Sequence, residues 1–123
     1  MDIGKLDMDK TYYDGYEGES EVIISLPSKE YHFWEGYFED IFDTSDLSDV
    51  EWKGFTRDYN ECTCTFSDDN IECAIMPKEY LDDLKLYVNH TFEYEETKDV
   101  LEKLLNIFEE AYAKDICVLV RVN

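Results

Sequence analysis

ICVLVRV, residues 116–122, is a nearly unbroken apolar run rich in β-branched side chains. A run this short and this apolar reads as a strand covered on both faces, and therefore as a central strand of a sheet. Immediately before it, Val100, Leu101, Leu104, Leu105, Phe108 and Tyr112 recur at helical spacing behind a capping Thr97, which predicts a helix from Thr97 to Ala113. An amphipathic helix leading directly into a buried strand calls for a layer of helices against a sheet.

Working outward, residues 77–95 carry two patterns at once. Tyr80, Leu81, Leu84, Tyr87 and Val88 fit a helix, whereas Leu84, Leu86, Val88, His90, Phe92 and Tyr94 alternate as in a strand. A short helix from Lys78 followed by a strand into Tyr94 is expected. Strand-like pieces precede them at Val50 to Tyr59, Glu61 to Phe66 and Ile71 to Met76, the last two joined by the turn sequence SDDN. Tyr31, Trp34, Phe38 and Ile41 recur at helical spacing after Pro27 and a potential N-cap, Ser28, and predict a helix over residues 29–43. Residues 3–26 read as a hairpin, with a tyrosine-rich arm from Thr11 to Tyr16, turn candidates at Asp14-Gly15 and Gly18, and Val22, Ile24 and Leu26 toward the core. The sum is α+β: a single two-layer domain over residues 1–123, with a mainly antiparallel sheet of about five or six strands packed against two main helices.

The bulk properties agree with one self-sufficient core and single out the charge. A chain of 123 residues with 44% apolar and 15% aromatic content is too rich in large side chains for a disordered acidic tail. Yet 31 Asp and Glu stand against 11 Lys and Arg, a net charge of −20, where magnitudes of about 2 to 8 suffice for solubility. Such a molecule is repelled by nucleic-acid backbones and anionic membranes, and its natural partners are basic proteins. The opening MDIGKLDMDK has no apolar run and nothing approaches a membrane span, so a cytoplasmic protein is expected.

Catalytic and metal-binding patterns are weak. Cys62, Cys64, Cys73 and Cys117 are expected as free, buried thiols in a reducing compartment. A hairpin closed at residues 67–70 would set Cys64 beside Cys73, where a disulfide is conceivable, but C-x-C on a strand does not match the C-x₂₋₄-C turn of structural zinc sites. His32 is expected as a surface histidine on the first helix, and His90 as a hydrogen-bonded core histidine. Asp7, Asp9 and Asp14 suggest calcium, but an EF-hand loop needs Gly and Glu where this chain has Tyr12 and Gly18. No P-loop, dinucleotide fingerprint or nucleophile elbow is present, and no carboxylate pair stands out as an acid–base couple. No catalytic residue, metal, cofactor or small-molecule substrate is expected.

The informative pattern is acid beside aromatic. HFWEGYFEDIFDTSDLSDVEW, residues 32–52, mixes carboxylates with large rings and contains no lysine or arginine. Rings anchor protein interfaces by excluding water, and carboxylates beside them pair with a partner's Arg and Lys. The expected partner-binding set is Glu35, Glu39, Asp40, Asp43, Asp46, Asp49 and Glu51, anchored by Trp52 and by Tyr12, Tyr13 and Tyr16 of the hairpin. Tyr94, among Glu93, Glu95 and Glu96, repeats the pattern. Trp34, Phe38 and Phe108 are assigned to the core.

In size and charge the chain resembles the small acidic proteins with which bacteria and phages neutralise nucleases and other toxins: immunity proteins, antitoxins and DNA mimics. The resemblance rests on composition over the whole chain and transfers no functional residue. It implies a cytoplasmic inhibitor that forms a tight stoichiometric complex with a basic toxin domain, in particular a nuclease, without touching nucleic acid or membrane. The alternatives from other classes are a non-inhibitory adaptor or assembly subunit and, third, a small metal enzyme.

Overall fold

The computed structural model describes residues 7–43, 52–63, 66 and 72–123. Five strands and four helices lie in these residues, in the order β1 (Asp7–Tyr12), β2 (Glu21–Leu26), β3 (Lys29–Trp34), α1 (Glu35–Phe42), α2 (Gly54–Glu61), β4 (Cys73–Ile75), α3 (Pro77–Lys85), α4 (Thr97–Lys114) and β5 (Val118–Val122). The fold is α+β, as expected. Its sheet is mixed, with strand order β1-β3-β2-β5-β4 and β1 running parallel to β3.

The deciding run does form an interior strand, paired antiparallel to β2 on one side and to β4 on the other. It is covered on one face only. Val118 and Val120 are fully buried against the helices, while Leu119 and Arg121 point the other way and are half-buried. Ile116 and Cys117 precede the strand. The helix before it runs from Thr97 to Lys114 as the spacing required, and Asp115, at φ 54°, ends it in a left-handed turn whose N–H bonds the Ala111 and Tyr112 carbonyls. Its buried face is Val100, Leu101, Leu104, Ile107, Phe108 and Ala111, whereas Tyr112 is half exposed with the Lys78 ammonium over its ring.

Several expectations fail, each for its own reason. Residues 29–34 form a strand instead of opening a helix. Leu26 pairs directly with Lys29, so Pro27-Ser28 is the turn of a tight hairpin and not a cap. Tyr31 and Phe33 face the core at period two, and the helical spacing 31, 34, 38, 41 straddles a strand and a helix that begins at Glu35. Residues 7–26 are no hairpin either, because β3 lies between β1 and β2. The residues 84–94 make no strand: Leu86, Val88 and His90 are exposed, so their alternation meets no partner strand.

The stretch expected as a strand to Tyr59 carries α2. It opens at Gly54, at φ +54°, where an added Cβ would lie 3.0 Å from the Asp83 Cβ, and that close approach brings the Asp83 carboxylate to the helix start. Asp83 accepts the Thr56 N–H at 3.0 Å and the Thr56 hydroxyl at 2.7 Å, so α3 caps α2. Asp58 has no exposed surface; it accepts from the Tyr80 hydroxyl at 2.5 Å and from Arg57 Nη2 at 3.1 Å. The expected strand to Phe66 contains instead the end of α2 at Glu61 and the left-handed Cys62, and the strand expected over Ile71 to Met76 is reduced to Cys73–Ile75. Val50, Cys64, the SDDN turn and Ile71 lie outside the described residues.

Two cysteine expectations change. Cys73, half-buried on β4, is disulfide-bonded. Cys62 and Cys117 are free but exposed, since one occupies the turn ending α2 and the other precedes β5. No helix among the described residues is long and apolar enough to cross a membrane. A single buried cluster joins the inward faces of β2, β3, β4 and β5 to all four helices.

Candidate functional site

Glu35, Glu39 and Asp43 follow one another at four-residue spacing along α1 and its C-cap, about 6 Å apart along the axis. Tyr37, Phe38, Ile41 and Phe42 of the same helix are buried, so the three carboxylates form a ridge on its outer side. Glu39 and Asp43 are exposed and Glu35 is half-buried. Among the described residues, no lysine or arginine comes within ion-pairing distance of Glu35, Glu39, Asp43 or Glu93. Burial, reinforced by the Glu39 carboxylate, holds the Glu35 carboxyl above the ordinary carboxylate range.

A recess opens on each side of the ridge. One, of about 370 Å³, is lined by Glu35, Asp43, Tyr59, Asn60, Cys62 and Phe66. The Tyr59 hydroxyl donates to Glu39 at 3.4 Å, and burial together with Glu39, Glu35 and Asp43 drives its phenol far above its usual range. The other recess, of about 300 Å³, is lined by Glu39, Asp40, Asp43, Thr91, Glu93 and Tyr94. Here Tyr94, 37% exposed, stands edge-on to Trp34 at 5.3 Å.

Trp34 binds the tyrosine-rich turn to this surface. Tyr16 stacks on its indole at 4.2 Å with the planes 5° apart, and Trp34 Nε1 donates to Glu19 at 3.0 Å. Gly36 lies against the same ring, where a Cβ would stand 2.4 Å from the indole. The acidic ridge thus continues into a ring cluster of Tyr16, Trp34, Tyr37 and Tyr94.

The expected site residues divide on this geometry. Glu35, Glu39, Asp43 and Tyr16 come together. Asp40 turns inward and fastens another element: its oxygens accept the Glu93 N–H at 2.9 Å, the Tyr94 N–H at 3.0 Å and the Thr97 hydroxyl at 2.6 Å, gathering the start of α4. Tyr12 stacks on Phe33 at 5.9 Å, and Tyr13 donates to the Glu19 carbonyl at 2.6 Å. Trp52 is half-buried, with an enclosed indole N–H that meets no hydrogen-bond acceptor among the described residues. Asp46, Asp49 and Glu51 lie outside the described residues. Trp34 and Tyr59 escaped the sequence reading: Trp34 fits a helical stripe, and nothing in the sequence links residue 59 to residue 39.

His32 is not a surface residue of a helix. On β3 it is 6% exposed, its Nδ1 lies 3.0 Å from Glu21 Oε2 and its Nε2 lies 2.8 Å from Glu30 Oε1. His90 is exposed and packs its ring 5.1 Å from that of Tyr87, so it is not a core residue. No group of three or more His, Cys, Asp and Glu among the described residues is arranged to hold a metal ion. No protein-family model, curated protein or solved structure matches the chain.

Proposed function

We propose that the protein is an acidic inhibitory binding protein, of the immunity or antitoxin kind, that neutralises a basic toxin domain, in particular a nuclease, by forming a stoichiometric complex. The observation that carries this reading is the ridge Glu35–Glu39–Asp43, without counter-charge among the described residues and flanked by two recesses and an aromatic cluster. Unmatched carboxylates on a protein of charge −20 steer a basic surface toward them and accept its arginines and lysines, while Tyr59, Trp34 and Tyr94 exclude water around the pairs. A nuclease cleft is positive because it binds phosphates, so the same carboxylates would occupy it in place of substrate.

The test needs a basic toxin or nuclease domain captured by the immobilised protein from a lysate at low salt. Titration with the protein should abolish nuclease activity at one equivalent, with an association rate that falls as salt rises. The variant Glu35→Gln/Glu39→Gln/Asp43→Asn should associate about tenfold more slowly and with a flatter salt dependence. Association rates unchanged by the three substitutions would remove the ridge from the interface. Undiminished nuclease activity in a saturated complex would favour the adaptor reading.

A further inference from the structure

The sheet has a second face, away from the helices, and a recess of about 460 Å³ opens on it. Residues of one parity on β2, β3 and β5, such as Val22, Ile24, Tyr31, Phe33, Val118 and Val120, belong to the core cluster. The other parity places Glu30, Ser25, Leu119 and Ala74 in one row across four strands, by the pairings Ser25–Glu30, Ser25–Leu119 and Ala74–Leu119. The recess lies at this row. Leu26, Pro27, Ile116 and Leu119 give it apolar walls, and Ser25, Glu30, Glu72 and Cys117 complete the lining, so no base is among its lining residues.

The polar part of the wall is held in place. Glu30 is 7% exposed and Ser25 8%, although both line a cavity. Glu30 Oε1 is occupied by His32 Nε2 at 2.8 Å, and His32 is fixed from behind by Glu21 at 3.0 Å. Among the described residues Glu30 Oε2 has only a long contact to the Ser25 hydroxyl, at 3.5 Å, and keeps acceptor capacity. The group thus sets two carboxyl groups on one imidazole, and among the described residues no lysine or arginine comes within ion-pairing distance of Glu30 or Glu21. Glu72, on the rim, is matched by Arg121 at 3.6 Å. The Glu30 carboxyl group beside this apolar cavity therefore has no lysine or arginine partner among the described residues.

We propose that this recess binds a small organic cation, an ammonium head on an apolar body, with the head on Glu30 Oε2 and the Ser25 hydroxyl and the body against Leu26, Pro27, Ile116 and Leu119. The volume lies within the range of small-molecule sites, which pair apolar walls with a few fixed polar groups. Charge complementarity selects the ligand class: an anion meets Glu30 and Glu72, and a neutral molecule leaves the carboxylate without its missing partner.

Three probes of one shape test this: benzylamine, cationic at neutral pH, benzyl alcohol and benzoate, each titrated into the full chain and followed by amide chemical shifts. Benzylamine should shift Leu26, Ile116 and Leu119, benzyl alcohol should bind about tenfold more weakly, and benzoate should not bind. Glu30→Gln should lower benzylamine affinity about tenfold and leave benzyl alcohol unchanged. Leu119→Trp, which fills the cavity without altering charge, should abolish benzylamine binding while the remaining spectrum reports a folded protein. Equal affinity for amine and alcohol, persistence of amine binding in Leu119→Trp, or no shifts at these residues at millimolar benzylamine would overturn the proposal.

Discussion

Two aspartates show how position alone decides what a carboxylate does here. Asp83 has no exposed surface, and burial raises its pKa to about 6 even though the Thr56 hydroxyl and N–H oppose the shift. Between the unfolded value near 3.8 and about 6, the folded chain keeps a proton that the unfolded chain has lost. Asp83 therefore makes stability fall as pH rises through that window, by about 2 to 3 kcal/mol once the side chain is ionised. Urea unfolding at about pH 4.5 and about pH 7.5 should show this contribution in the wild type and a smaller pH difference in Asp83→Asn. Asp40 is instead a half-exposed carboxylate that holds the approach to α4 through two backbone N–H groups and the Thr97 hydroxyl. Asp40→Ala should destabilise the fold by about 2 kcal/mol and speed amide exchange at Glu93 and Tyr94, whereas Glu39→Ala, one position away, should change stability by less than about 0.5 kcal/mol. Sequence alone could not tell these neighbours apart, because both are acidic residues on one helix and only the fold shows that one faces residues 93–97.

Among the elements, those whose pattern is long and self-contained were legible. The helix Thr97–Lys114 spans several turns with one apolar face, and the strand Val118–Val122 is β-branched throughout apart from Leu119 and Arg121, so neither depends on a distant partner for its identity. Short elements were misread where aromatic residues serve both periods. Tyr31, Phe33, Trp34, Tyr37 and Phe38 fit a helix and a strand about equally, and the switch at Trp34–Glu35 leaves no connecting residue to mark it. The candidate ridge was legible, because charge and spacing along one helix are local facts; its aromatic flank was not, since Tyr16, Trp34 and Tyr94 meet only through the sheet and the α3–α4 connection. The strand-to-helix junction is itself testable. Gly36→Ala would place a methyl inside the volume of the Trp34 ring, which is pinned on Tyr16, so the indole must move. A loss of about 1 to 3 kcal/mol in thermal unfolding with a changed tryptophan emission is expected; an unchanged emission spectrum would show that the ring had room.

For the whole molecule, charge and cohesion oppose each other. A net charge of −20 repels itself across one buried cluster, and part of that repulsion lies in Glu35, Glu39 and Asp43, whose like charges at four-residue spacing cost about 0.2 to 0.5 kcal/mol per pair. Added sodium chloride should raise the melting temperature of the protein, and Glu35→Gln/Glu39→Gln/Asp43→Asn should raise it further at low salt. A melting temperature independent of salt would mean that the repulsion is already balanced. The strand order has a consequence for biosynthesis. Every other element leaves the ribosome before Val118–Val122, yet that segment separates β2 from β4. During translation the Glu21–Leu26 strand, once folded back on Lys29–Trp34, presents an unpaired apolar edge, and a nascent chain stalled short of residue 118 displays it to any neighbouring strand. Its acidity is then its defence, since two growing copies repel each other before their open edges can meet.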